Sequence, residues 1–437
     1  MTGLPPGVPA APRFVGGCAQ PVLLRGRVDH IDGRTGELLH RYTSVHEPGG
    51  LLPVPCKTRR ASRCLPCAEV YRADTYQLVR AGLTGGKGVP ETVAAHPAVF
   101  ATLTAPSFGL VHSRRERGGK TQRCRPRRSA TACPHGVAMS CPDRHGRDDS
   151  RLGQPLCPDC YDYTRAVLFN ALAPELWRRF TITLRRVLAR RLGITNTELA
   201  QVARVSYAKV AEYQQRGVVH FHAIIRIDGP AGPATPPPAS ATADLLTAAI
   251  TVAVSAVATK TRDLPGMAPF TMIWGRQLDI RPISTTGELT DSKVAAYLAK
   301  YATKAAECTG TLDRRITPAD HLASLPVTGH ARRLIAECLR LDRVAELEDL
   351  RLAAWAHMLG FRGHFSTKSR HYSTTLGRLR AARADHCRAL ARAAGLVPDL
   401  PSDTTLVVGH WHFGGRGHPP SVDPRSDRPC PTQRRSP

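Results

Sequence analysis

The stretch that most constrains this chain is RGVVHFHAII, residues 216–225. A run this apolar reads as a core strand, and a strand sends alternate side chains to opposite faces. His220 and His222 then point the same way, with Phe221 on the other face. Two imidazoles side by side on a rigid strand are either a polar pair inside a core or a metal site. The full segment ARVSYAKVAEYQQRGVVHFHAIIRID reads as a β-hairpin with its turn near Gln214–Gly217. Glu212, eight residues before His220 on the preceding arm, is the best candidate for the third ligand that two histidines normally need.

A second feature gives the histidines something to work with. The segment TDSKVAAYLAKYATKAAE (290–307) is Ala-rich, with Asp near its start, and predicts a helix. Tyr297 and Tyr301 are four apart and leave the same helix face, with Lys304 three residues beyond Tyr301. Alone, this is an amphipathic helix with packed tyrosines. Beside a metal site it is more, because a phenol is a poor nucleophile at neutral pH unless its target is activated. A divalent ion supplies that activation at a phosphoryl oxygen.

These stretches carry a resemblance. EYQQRGVVHFHAII resembles the His-hydrophobic-His motif of the HUH endonucleases, the rolling-circle replication initiators. YLAKYATK resembles their tyrosine motif, in which Lys follows three residues later, and FATLTAPSFG is similar to their first, strand-forming motif. The paired tyrosines resemble those of the gene A proteins of small single-stranded DNA phages. Together with CKTRRASRCLPC, GGKGVPETVAAHP, LCPDCYDY and APELWRRFT, the stretch 50–415 resembles replication initiators of actinobacterial integrative elements and plasmids. The resemblance implies nicking of origin DNA, single-stranded or supercoiled, with Mg²⁺ or Mn²⁺ held by His220, His222 and Glu212. It implies Tyr301 as the main nucleophile, Tyr297 as the second and Lys304 beside them, a 5′-phosphotyrosine link and a free 3′ hydroxyl. Host helicase and polymerase follow as partners. Two rivals stand beside it. One is a relaxase or transposase with the same chemistry, although relaxases usually place the tyrosine before the histidines. The other is a zinc-containing DNA-binding regulator without catalysis.

Several of the 13 cysteines cluster tightly, which in a cytosolic chain points to metal rather than disulfides. Cys133, Cys141, Cys157 and Cys160 are expected to form one structural zinc site. Cys56, Cys64 and Cys67 form a three-ligand group that needs a fourth, Cys124 or a histidine. The Gly-Gly-Lys of GLTGGKGVP is not a phosphate loop: Ala81 stands where its first glycine belongs and Gly88 where Ser or Thr should follow.

Composition agrees with a polyanionic partner. Lys and Arg number 61 against 35 acidic residues, a formal charge of +26. Eight Lys/Arg face one Glu over 112–128, and eight face one Asp over 361–394. The start lacks a signal peptide's basic and apolar parts, and the longest apolar stretch, 245–259, is shorter than the roughly 20 residues that span a bilayer. A cytoplasmic protein without membrane contact is expected.

The fold predicted is α+β: an HUH-endonuclease-like central antiparallel sheet with flanking helices, preceded and interrupted by zinc-binding segments and followed by a basic helical region. The boundaries expected are a loosely ordered 1–50, a Cys-containing segment with a helix over 51–97, and a nicking domain over 98–310. That domain carries a Cys-rich insertion at 112–165 and a Pro-rich linker at 229–241. A basic helical region over 311–414 and a disordered tail over 415–437 complete the chain.

Overall fold

A computed structural model describes residues 15–418 apart from 128, 130, 262–263, 265–267, 284–289, 305, 318–319, 396–399 and 401–403. The first 14 residues of the segment expected to be loosely ordered, and 419–437 of the expected tail, lie outside the described residues. Among those described, the strands are Val22–Asp32 (β1), Leu38–Thr43 (β2), Leu52–Val54 (β3), Ala98–Leu103 (β4), Arg115–Arg117 (β5), Lys120–Gln122 (β6), Arg204–Tyr213 (β7), Val219–Asp228 (β8), Ala258–Lys260 (β9), Thr271–Ile273 (β10), Leu278–Pro282 (β11), Ser366–Lys368 (β12) and Thr405–Arg416 (β13). The helices are Leu65–Thr84 (α1), Tyr163–Arg191 (α2), Asn196–Val202 (α3), Ala243–Ala256 (α4), Asp291–Ala302 (α5), Gly329–Leu341 (α6) and Leu376–Ala393 (α7). The fold is mixed α/β with antiparallel sheets. None of these helices is long and apolar enough to cross a membrane.

The chain divides into two compact units, residues 1–75 with 374–437, and residues 76–373. In the first, β1 pairs with β13 on one side and with β2 and β3 on the other, all antiparallel. Residues 22–32 and 38–43 are therefore strands, not the loosely ordered segment expected of 1–50. Their composition misleads because the partner strand, β13, lies more than 370 residues away, and pairing rather than propensity orders them. Gly26 is required by that pairing: a Cβ there would sit 1.9 Å from the His410 carbonyl oxygen.

The second unit is built on a five-stranded antiparallel sheet in the order β11-β4-β8-β7-β12. β8 is central and buried along nearly its whole length, because both faces are covered. On the Phe221 face, Trp177 of α2 meets Phe221 and Tyr207 edge-on, and α4 packs on α2, β4 and β11. On the His face lies α5, packed against β7. Each large apolar side chain buried here contributes roughly 1.5–3 kcal/mol. β8 ends in a buried pair: Arg226 Nε donates to Asp228 Oδ1 at 2.6 Å, and His96 Nδ1 lies 2.8 Å from the same oxygen.

Local signals start and stop the helices. Asp162 caps α2 by accepting from Arg165 N at 2.8 Å, and Thr195 with Glu198 forms a capping box on α3. The stretch 311–414 is not one basic helical region. Leu334, Ile335 and Cys338 of α6 join the main core because α6 is amphipathic and packs on α2. β12 joins the sheet, and β13 belongs to the other unit.

Candidate metal and tyrosine site

The β7–β8 ladder sets the site. Register places Glu212 opposite His220, and Val210 opposite His222 on one side with Thr102 of β4 on the other. Opposed residues on one face hold their Cβ atoms about 5 Å apart, so the carboxylate and both imidazoles converge. One oxygen, Glu212 Oε2, lies 3.0 Å from His220 Nε2 and 3.0 Å from His222 Nε2. Burial opposes ionisation of Glu212, but hydrogen bonds to His220 and His222 outweigh it and hold its carboxyl below the usual range. Burial favours the neutral imidazole of His222.

The turn between the strands is held from three directions. Gly217 has φ +75°, and a Cβ there would meet Leu334 Cδ1 at 2.5 Å, so only glycine fits. Arg216 donates to the carbonyls of Pro106 and Ala105 at 2.7 and 3.0 Å. Asn170, fully buried on α2, donates from Nδ2 to Gly217 O at 2.9 Å and Leu359 O at 2.8 Å, and accepts from Val219 N at 2.9 Å.

The tyrosine helix reaches the same place. Tyr297 Oη lies 3.4 Å from His222 Nε2, and the ring centroids of His222 are 5.0 Å from Tyr297 and 5.7 Å from Tyr301. The two tyrosine rings are 4.6 Å apart. Lys304 Nζ sits 4.9 Å from the Tyr301 ring centroid. Burial, and then a hydrogen bond with Tyr301, push the Tyr297 phenol well above its ordinary range. Every residue that the sequence nominated for this site is therefore within one cluster.

Sequence reasoning missed its supports. Thr102 Oγ1 lies 3.0 Å from His222 Nδ1, and Phe100 stacks on the His222 ring at 5.7 Å and 8°. Both stand in the quoted strand FATLTAP, where two-residue alternation puts them on the His face. Asn170 carried a weaker signal, one polar residue inside the apolar AVLFNALA.

The donor set fits a divalent cation. Where His222 Nδ1 carries the proton and gives it to Thr102, Nε2 presents a lone pair to Glu212 Oε2. A cation placed among these atoms takes the place of the hydrogen bonds that otherwise join them. The ligand atoms of Glu212, His220 and His222 all lie within 4.8 Å of one another.

The cysteines regroup relative to the sequence reading. Cys56, Cys64 and Cys67 are completed by Cys18 rather than by Cys124 or a histidine. The pairing Val22↔Val54 brings the chain before β1 alongside the chain after β3, and Cys56 N donates to Cys18 Sγ at 3.3 Å. Cys133, Cys157 and Cys160 do lie together, but their fourth member is His135, not Cys141. His135 Nδ1 is 3.3 Å from Cys160 Sγ and 3.7 Å from Cys157 Sγ. Cys141 leaves that group because the chain doubles back between 125 and 141: Arg125 pairs with Cys141, and Cys133 N donates to Val137 O at the tip. Cys141 thus lies beside Cys124, and these two group with His112 and His145. The first set offers four sulfurs, and the other two offer the mixed sulfur and nitrogen donors of a metal site.

Fold and site together define a mixed α/β protein whose antiparallel sheet presents a His-Glu cluster to paired tyrosines, with Cys/His groups that could hold further metal. The family described as RepSA, replication initiator protein of pSAM2, matches residues 9–425. A replication initiator protein of Streptomyces ambofaciens is 50% identical over 418 residues, covering 93% of this chain and 86% of that protein. No solved structure matches. The chain belongs to the RepSA family of replication initiator proteins.

Proposed function

We propose that this initiator opens rolling-circle replication by nicking its origin DNA through tyrosine attack, on a domain of the HUH-endonuclease type. The observation that carries the reading is convergence from separate elements: Glu212, His220 and His222 on one hairpin, with Tyr297 and Tyr301 on a helix laid over it. Glu212, His220 and His222 would hold Mg²⁺ or Mn²⁺, which supplies Lewis-acid polarisation of a phosphoryl oxygen.

The chain's own residues do the rest. The Tyr301 oxygen attacks the scissile phosphorus and loses its proton. The bond from phosphorus to the 3′ oxygen breaks, and that oxygen takes up a proton as a hydroxyl that primes synthesis. The 5′ end stays esterified to Tyr301. Tyr297 is the second nucleophile, free to cleave the regenerated junction after one round. Lys304 offsets phosphate charge beside Tyr301. Thr102 and Phe100 orient His222. Zinc is the structural ion of the cysteine-rich groups, and the host's helicase and polymerase act on the opened origin in the cytoplasm.

The test is nicking of a supercoiled plasmid carrying the element's own origin, with Mg²⁺ or Mn²⁺ and with chelator. The combined variant His220→Ala, His222→Ala should retain DNA binding and lose nicking. Full nicking by that variant in chelator would overturn the metal reading. Origin binding without cleavage by the wild type under every metal would favour the regulator.

A further inference from the structure

The two Cys/His groups of the insertion interleave. Along the chain the ligands run His112 and Cys124, then Cys133 and His135, then Cys141 and His145, then Cys157 and Cys160. The first and third pairs form one group and the second and fourth pairs form the other. We propose that the segment between β4 and α2 is a cross-braced module of two zinc-type ions, one held by His112, Cys124, Cys141 and His145, the other by Cys133, His135, Cys157 and Cys160, which bind cooperatively and fold the segment as one unit. The proposal does not depend on the nicking reading.

The first site was not legible as a set in the sequence, and its geometry asks for a cation. His145 Nδ1 lies 2.7 Å from Asp149 Oδ2, and Arg151 in turn binds Asp149 through Nε at 3.2 Å and Nη2 at 3.0 Å. An ionised carboxylate fixes the proton on Nδ1 and leaves Nε2 with a lone pair. That Nε2 faces His112 Nδ1 at 3.2 Å and Cys141 Sγ at 3.5 Å. Ser113 N donates to Cys124 Sγ at 3.2 Å, the contact a thiolate accepts. Two imidazoles and two cysteines converging in this way, with a carboxylate behind one of them, suit a tetrahedral borderline-soft ion.

The segment has little else to hold it. Among its described residues the regular structure is two three-residue strands and one short 3-10 turn. Among the described residues from 109 to 160, the buried ones are the ligands Cys124, Cys141, His145 and Cys157, with only Leu152, Gly153 and Pro155 beside them. So small a core cannot offset chain entropy, and metal binding then becomes folding free energy. Interleaving adds the coupling. The first site closes a loop from 112 to 145 that contains Cys133 and His135. The second closes a loop from 133 to 160 that contains Cys141 and His145. Neither ion can leave without freeing ligands that the other needs held.

The module bears on the candidate site. Gly153 has φ +81°, and a Cβ there would lie 2.3 Å from the Gln215 carbonyl oxygen, so its backbone presses on the β7–β8 turn. Tyr161 Oη donates to Arg216 O at 3.4 Å.

The experiment uses the full chain. Zinc content by plasma mass spectrometry is compared for wild type and for Cys124→Ser with Cys141→Ser. The double variant should lose one ion outright and hold the second insertion ion at least about tenfold more weakly against a chromophoric chelator. An unchanged second affinity would mean independent sites and overturn the cross-brace. Should the variant fail to fold, wild type decides. On chelator titration, residues 109–160 should lose hydrogen-exchange protection in one transition matched to the release of two ions, while β8 amides stay protected. Two separated transitions, or release of fewer than two ions with the loss of protection over 109–160, would overturn the proposal.

Discussion

Asn170 is the residue whose replacement tests the architecture of the site most sharply. Its amide binds Gly217 O, Leu359 O and Val219 N, and it is fully buried. In Asn170→Leu the branched shape is kept, the side chain grows slightly in a packed core, and all three partners lose their hydrogen bonds where water cannot replace them. A buried polar group left unsatisfied costs about 1–3 kcal/mol. Leucine returns part of this by burying apolar surface, so a net loss of about 1.5–6 kcal/mol is expected, against about 5–15 kcal/mol for a whole domain. Because the chain has two units, a single midpoint is a poor measure, and local exchange is better. Val219 N–H exchange should accelerate by about tenfold or more, since each 1.4 kcal/mol is a factor of ten. Origin nicking should fall further than origin binding, because His220 follows Val219 directly. A change of less than about threefold at Val219, with exchange elsewhere unaltered, would refute the claim that Asn170 holds the turn.

Further outcomes follow from the same geometry. Tyr301→Phe should lose most initial cleavage and Tyr297→Phe should still nick yet terminate poorly; mass spectrometry of the covalent adduct decides, and an adduct confined to Tyr297 reverses the order. Affinity for duplex DNA should fall with salt at a log–log slope of about −0.9 per phosphate neutralised, and a flat dependence would contradict the role of the basic stretches. Lys209 is buried on the Phe221 face with Nζ 3.8 Å from that ring centroid, and burial pushes its ammonium down to about 7. The unfolded chain holds that proton to about pH 10, so stability should rise with pH between about 7 and 10. Lys209→Met should therefore stabilise at pH 7 by up to a few kcal/mol, with the advantage shrinking toward pH 10 in paired thermal denaturations; an equal advantage at both pH values would show that Lys209 is not titrating in this range.

The features of this protein that follow from local logic are legible along the chain. Alternation in ARVSYAKVAEYQQRGVVHFHAIIRID encoded a hairpin, its two-residue period put His220, His222 and Glu212 on one face, and helical spacing put Tyr297 and Tyr301 on another. The remaining features depend on partners distant in the chain. The strand β1 looked unstructured because β13 orders it from the far end. Cys18 joined Cys56 through a strand pairing, and Cys141 exchanged places with His135 because the register of one small hairpin set it beside Cys124. Spacing counts residues between ligands, but a metal site is chosen by where loops close, and loop closure belongs to the folded chain. Asn170 is the same lesson in hydrogen bonds: its three partners stand on β8, the turn before it and a loop near residue 359, and only folding brings them to one side chain.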